Sequence, residues 1–314
     1  MATNQTNSAF PAYYDPAKVG TLYQSEIAVA AEAGLKAQSA PSAHDKKRVM
    51  LLLVDPQVDF VLTSGTLSVP GAVEDTRRTI EWIYQHNGEI TSIAASLDSH
   101  TAFQIFYPTW WINEKGEHPA PFTTISGEDI RNGIWKPVID PTWSLNYVEE
   151  LEKGGKYILM IWPYHTMIGT PGQSIVPALS EAIMYHSAAR HAQPMWLIKG
   201  SIPQTENYSI LEPEVKVPTH PLGGLNTSFL DMLSKYDLVY VAGQAKSHCV
   251  LSTMRSIIQY FSNQPEVIAK LRFLMDCTSS VQHPAIDFDA IANAELQAMS
   301  KQGMRLVTSK DPIN

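Results

Sequence analysis

The chain has 314 residues, of which 44% are hydrophobic and 17% charged, a balance that supplies a substantial core and excludes a disordered chain. Its net charge of −8, without any Lys/Arg run, argues against nucleic acid or an anionic membrane as the main partner. Two cysteines, Cys249 and Cys277, cannot build a disulfide framework, residues 1–12 show no basic and apolar leader, and no apolar run nears the ~20 residues of a membrane span, so a cytoplasmic globular protein is expected.

Residues 1–47 read as an N-terminal arm. They are polar with scattered Pro, carry a short helical pattern over 21–33 and a loose Ser/Pro/Lys segment, and lack a core of their own, so the arm is expected to wrap on the body or on a partner subunit. Residues 48–314 read as one α/β domain. The run 49–54 (VMLLLV) is continuously apolar, as in a strand buried on both faces. Helical spacing follows over 76–85, with Ile80, Trp82, Ile83 and Tyr84 apolar. Further strands are expected over 89–97, 157–162, 195–198, 238–242, 271–275 and 304–307, with helices over 176–190, 225–236, 249–261 and 285–300 between them. This alternation predicts a doubly wound, mostly parallel sheet with helices on both faces. Two long insertions, about 101–144 with Trp110 and Trp111, and 201–226 with four prolines, interrupt the rhythm. Long ordered loops of this kind form lids or interfaces, and the arm and loops are compatible with a homo-oligomer.

In such sheets ligands bind beyond the carboxyl ends of the strands, so the residues there matter most. Asp55 follows the first strand and suits a general base or a metal ligand, or simply caps the next turn. Asp98 and His100 end the second; a D-x-H pair in extended chain shares one face, and carboxylate with imidazole suits Zn²⁺, Fe²⁺ or Mn²⁺, although a plain hydrogen-bonded pair reads the same way. His165 follows the third strand and can complete that set. Lys199 follows the fourth, where burial demands a compensating carboxylate such as Asp55, unless the side chain snorkels from the sheet edge. Cys249 opens a helical pattern after the fifth. There a thiolate is favoured by the helix dipole, and the neighbouring N–H groups can bind an oxyanion. Cys277 reads as a small buried hydrophobe.

Taken in order, these motifs resemble the nicotinamidase/isochorismatase superfamily of cysteine hydrolases, from about Arg48 to the end of the chain. Residues 55–60 (DPQVDF) resemble its D-x-Q-x-D-F and 68–72 its VPGA; 98–100 (DSH) resemble the metal-binding D-x-H. Residues 162–165 (WPYH) with 169–172 (GTPG) resemble W-P-x-H-C…GTPG, 199–200 the KG of the lysine, and 243–250 (GQAKSHCV) the G-x-A-T-D-x-C-V of the nucleophile. The resemblance implies that Cys249 attacks an amide carbonyl after giving its proton to Asp55, with Lys199 stabilising the charged intermediate. The N–H groups of Ala245 and Cys249 would form the oxyanion hole, next to a cis peptide at Gln244–Ala245. A divalent metal (Zn, Fe or Mn) on Asp98, His100 and His165 would orient the substrate, with no organic cofactor. Phe60 and Trp162 would wall the substrate pocket, with Gln104 and Gln244 as further pocket residues.

The chain departs from the pattern in four places. No further histidine follows D-x-H, Gln173 and Ser174 follow the second Pro-Gly, Lys246-Ser247 replaces Thr-Asp, and the segment holding Trp110 and Trp111 is long enough to reshape the pocket. The expected activity is hydrolysis of a small amide, nicotinamide or a relative, to acid and ammonia through a Cys249 thioester. Two alternatives are a hydrolase that uses metal-held water and a binding or scaffold protein without activity. A complete Asp55/Lys199/Cys249 set argues against the scaffold, because a buried ion pair is weak evidence of stability alone.

Overall fold

A computed structural model describes residues 10–154, 158–284 and 286–314. In chain order its first half comprises α1 (Ile27–Lys36), β1 (Val49–Val54), α2 (Val58–Val61), α3 (Ala72–Gln85), β2 (Ser92–Asp98), β3 (Trp111–Ile112), β4 (Thr124–Ile125), α4 (Gly127–Arg131), β5 (Lys136–Pro137) and α5 (Pro141–Gly154). The second half comprises β6 (Leu159–Met160), α6 (Pro177–Arg190), β7 (Met195–Lys199), α7 (Thr227–Leu233), β8 (Leu238–Gly243), α8 (Leu251–Tyr260), α9 (Pro265–Ile268), β9 (Leu271–Leu274), α10 (Phe288–Ser300) and β10 (Arg305–Val307). Among the described residues no helix is long and apolar enough to cross a membrane.

Six strands form the central sheet in the order β10-β9-β8-β1-β2-β7, and all its ladders are parallel. β1 shows why its sequence is continuously apolar. Val49, Leu51 and Leu53 face one core, with residues of α3 and α6; Met50, Leu52 and Val54 face the other, with residues of α7, α8 and α10. Helices therefore cover both faces, as the alternation predicted. From β1 the chain steps outward to β2 and β7, then returns to β8 on the other side of β1. The direction of winding reverses between β1 and β8, and at such a reversal a crevice opens beyond the strand ends. β8 closes on β1 through Gly243, whose φ is +122° and where a Cβ would lie 2.0 Å from the Val54 carbonyl oxygen, so a side chain is excluded there.

Two expectations need correction. Residues 157–162 are not a strand of this sheet. Tyr157 lies outside the described residues, and β6 pairs antiparallel with β4 in a separate two-stranded ribbon. Leu159 and Ile161 are buried in the layer that covers the sheet; alternation reports a buried face, not which surface buries it. The 101–144 insertion is also more than loop, since it carries β3, β4, β5 and α4 and enters α5. That helix has a legible signature: a Pro at its start, then Tyr147, Val148 and Leu151 buried at helical spacing. Trp110 and Trp111 are core residues here, with their indole N–H groups donating to Ser144 Oγ and the Ile105 carbonyl.

The arm folds back on the body. α1 packs against α6, Phe10 and Tyr14 stack around Tyr84, and Asp45 pairs with the buried Arg190.

Candidate active site

The D-x-Q-x-D motif after β1 divides its labour. Asp55, at a φ of +43°, turns its carboxyl back into the crevice, where the Ser96 hydroxyl of β2 donates to Oδ1 at 2.5 Å. Gln57 ties the end of β2 in place: its amide nitrogen donates to the Asp98 carbonyl at 2.7 Å, and its oxygen accepts from the Asp98 N–H at 2.8 Å. Asp59 accepts from the Thr166 N–H at 2.7 Å, which holds the segment carrying His165.

Lys199, at the end of β7, is the hub. Its Nζ lies 3.0 Å from Asp55 Oδ2, 3.0 Å from Asp98 Oδ1 and 3.7 Å from Cys249 Sγ, and it donates to the Asn207 carbonyl at 2.6 Å. Cys249 sits in the π-helical turn Lys246–Val250 that leads into α8, after a cis peptide between Gln244 and Ala245. All these groups are buried. Burial opposes charge on Lys199, but Asp55 and Asp98 outweigh it and keep the ammonium protonated. Burial raises the Asp55 carboxyl above the usual range despite Lys199, and it raises the Cys249 thiol well above its ordinary value. The proton thus rests on sulfur, beside a carboxylate made more basic.

Asp98 joins this group to a second one. Its Oδ2 lies 2.8 Å from His100 Nε2 and 3.7 Å from His165 Nε2. Each imidazole is oriented by its other nitrogen: His100 Nδ1 donates to the Gly200 carbonyl at 2.8 Å and His165 Nδ1 to the Pro163 carbonyl at 2.7 Å. Nε2 is therefore the inward nitrogen on both rings, the second-contact pattern of metal-bound histidine. The three side chains offer ligand atoms within 4.8 Å of one another, and both carboxylate oxygens of Asp98 face charged or ionisable partners, Oδ1 towards Lys199 and Oδ2 towards His100. This donor set fits a borderline divalent cation. Gly200 (φ +81°) allows the close approach, since a Cβ there would lie 2.4 Å from Asp98 Oδ1. Burial disfavours charge on both ions of the Asp98–His100 pair, yet mutual attraction, aided by Lys199, pulls the carboxyl well below its usual range and raises the imidazole. His165, buried beside His100, is held neutral, its pKa lowered to about 4.

Both groups border one cavity, lined by Phe60, Leu67, Val69, Asp98, Trp162, His165, Glu206, Tyr208, Ala245, His248, Cys249 and Val281. Solved structures with this architecture include the yeast nicotinamidase, 19% identical, with 82% of this chain and 99% of that chain covered at a TM-score of 0.54. The same yeast enzyme bound to the inhibitor nicotinaldehyde aligns with a TM-score of 0.55 at 19% identity, over 83% and 99% of the two chains. A nicotinamidase/pyrazinamidase from Acinetobacter baumannii aligns at 0.52 and 19% identity, over 85% and 99%. The chain has the nicotinamidase fold. No family model and no curated protein matches the sequence.

On that nicotinamidase fold, Asp55, Lys199 and Cys249 converge, Asp98, His100 and His165 converge beside them, and Ala245, Phe60 and Trp162 line the cavity. Gln104 and Gln244 do not line it. The Gln104 amide is spent on the Thr101 N–H and the Gly200 and Ile202 carbonyls, and Gln244 bridges Asp75 and the Ser279 N–H. Residues 103–111 do not build the pocket either. They brace it from behind, with Phe106 packed on the His100 ring and Tyr107 Oη donating to the His165 carbonyl. Lys246 turns away to Asp289 and Asn293 of α10. Sequence reasoning missed Glu206, Tyr208 and His248. His248 precedes the nucleophile and was open to notice; Glu206 and Tyr208 lie in a proline-rich connection that only the fold brings to the cavity.

Proposed function

We propose that this chain is a cysteine amidohydrolase that converts a small amide, nicotinamide or a relative, to the acid and ammonia. The observation that carries this reading is the Lys199 ammonium, 3.0 Å from Asp55 and 3.7 Å from Cys249 at the winding reversal of the sheet, on the fold of enzymes named for nicotinamide and pyrazinamide hydrolysis. Asp55 takes the thiol proton as sulfur adds to the amide carbonyl. The tetrahedral oxygen is held by the N–H groups of Ala245 and Cys249, and the Lys199 charge offsets the negative charge that develops beside it. The C–N bond breaks as Asp55 returns the proton to the leaving nitrogen, so ammonia departs and a thioester remains. Asp55 then takes a proton from water, whose oxygen attacks the thioester; the carboxylic acid leaves and the thiol is restored. Asp98, His100 and His165 would hold a divalent metal, which when bound supplies a Lewis-acidic point for orienting the substrate.

The test is ammonia release from nicotinamide and a panel of small amides, for wild type and Cys249→Ala. Release that vanishes in the variant supports the reading. Release that survives in Cys249→Ala but stops on chelation transfers the chemistry to the metal group, and no release from any amide favours a binding protein.

A further inference from the structure

Glu206 stands apart from both groups. It lies in the connection between β7 and α7, is only 5% exposed, and lines the cavity beside Asp98, His165 and Cys249. Its main chain is pinned: the N–H donates to Tyr147 Oη at 3.1 Å, and the carbonyl accepts from the Glu214 N–H at 2.9 Å and from Thr205 Oγ at 3.1 Å. Its carboxyl takes no hydrogen bond or ion pair from the described residues. The nearby cationic groups are already engaged: Lys199 is shared between Asp55 and Asp98, and His100 faces Asp98 at 2.8 Å. The rest of the wall is largely aromatic and aliphatic. Burial accordingly raises the carboxyl to about 8. A buried carboxyl left without a partner is expensive, and an incoming ligand can supply what the protein withholds. Phe60, Trp162 and Tyr208 beside a carboxyl make a surround suited to an amine, through aromatic contact and a charge-assisted hydrogen bond.

We propose that Glu206 is a specificity-determining residue, and that the substrate is a small amide whose non-reacting end carries an amino or ammonium group donating to the Glu206 carboxylate. This rests on the amidohydrolase reading of Cys249. A site built to receive an N–H rejects the analogue that lacks it far more strongly than one shaped only by size.

The test compares two isosteres, 3-(aminomethyl)benzamide and 3-ethylbenzamide, in wild type, Glu206→Gln and Glu206→Asp. Wild type is expected to favour the amino compound by about tenfold or more in kcat/KM, with the ratio collapsing toward one in Glu206→Gln and keeping its direction in Glu206→Asp. A ratio unchanged in Glu206→Gln, or a wild-type preference for the ethyl compound, overturns the proposal. So does a loss of Zn²⁺ affinity in Glu206→Gln with the substrate ratio intact, which would assign the carboxyl to the metal group. Calorimetric binding of both compounds to Cys249→Ala, with and without Glu206→Gln, separates the two readings. Glu206-dependent preference for the amine without any turnover supports this inference while the amidase reading fails, and equal binding overturns it. Melting temperatures of the Glu206 variants establish that the compared proteins are folded.

Discussion

Lys199→Met keeps the length of the stem and removes the cation that lies 3.0 Å from both Asp55 and Asp98. Asp98 retains His100, whereas Asp55 keeps only the Ser96 hydroxyl. With no counter-charge and no exposure, the Asp55 carboxyl avoids an isolated buried charge by taking a proton. Relative to an ordinary carboxylate pKa of about 3.9, holding that proton costs at most about 4 kcal/mol at pH 7 and about 1.5 kcal/mol at pH 5. Because burial already raises Asp55 in the wild type, the loss falls below this ceiling at both pH values. The sign follows from linkage: a carboxyl whose folded pKa lies above its unfolded value contributes stability below the unfolded pKa and loses it as pH rises. At roughly 2 °C per kcal/mol for a chain of this size, the melting temperature should fall by up to about 8 °C at pH 7 and by up to about 3 °C at pH 5. Differential scanning fluorimetry across that range reads both numbers. A drop that is equal at the two pH values, or a pH 7 drop below about 2 °C, would show that Lys199 does not hold a buried negative charge.

His165→Ala removes one imidazole without touching the Asp98–Lys199 contact, so Zn²⁺ or Mn²⁺ affinity measured by calorimetry on chelator-stripped protein should fall by at least about tenfold, the scale for losing even a supporting contact; unchanged affinity would dismiss the site. His186, buried in α6 with its Nε2–H donating to the Ile90 carbonyl, has its pKa lowered to about 4 by burial, with Arg190 adding to the effect. A depressed folded pKa gives stability that is complete above the unfolded value near 6.5 and is lost as pH falls toward 4, about 3 kcal/mol in all. His186→Gln should therefore flatten the decline of melting temperature between pH 6.5 and 4, and parallel curves for variant and wild type would rule this out.

Much of this protein was determined by local pattern. The apolar run of β1 and the alternation with helices specify a parallel sheet, because a strand buried on both faces has no polar side to show. The motifs at the strand ends specify Asp55, Asp98, His100, Lys199 and Cys249, because parallel strands deliver their carboxyl ends to one edge. Tertiary structure decided what those patterns leave open. It decided that β6 joins a ribbon and not the central sheet, since burial of Leu159 and Ile161 is satisfied equally by a covering layer. It turned the Gln104 and Gln244 amides to backbone and Asp75 partners, and it made Trp110 and Trp111 core residues in place of a pocket wall. It also brought Glu206 and Tyr208 to the cavity from a proline-rich connection whose apolar residues, such as Ile210 and Leu211, show no helix or strand period that would place them there. The physical reason is common to all four: periodicity encodes which side of an element is buried, while the partner that buries it is chosen by contacts between residues far apart in the chain.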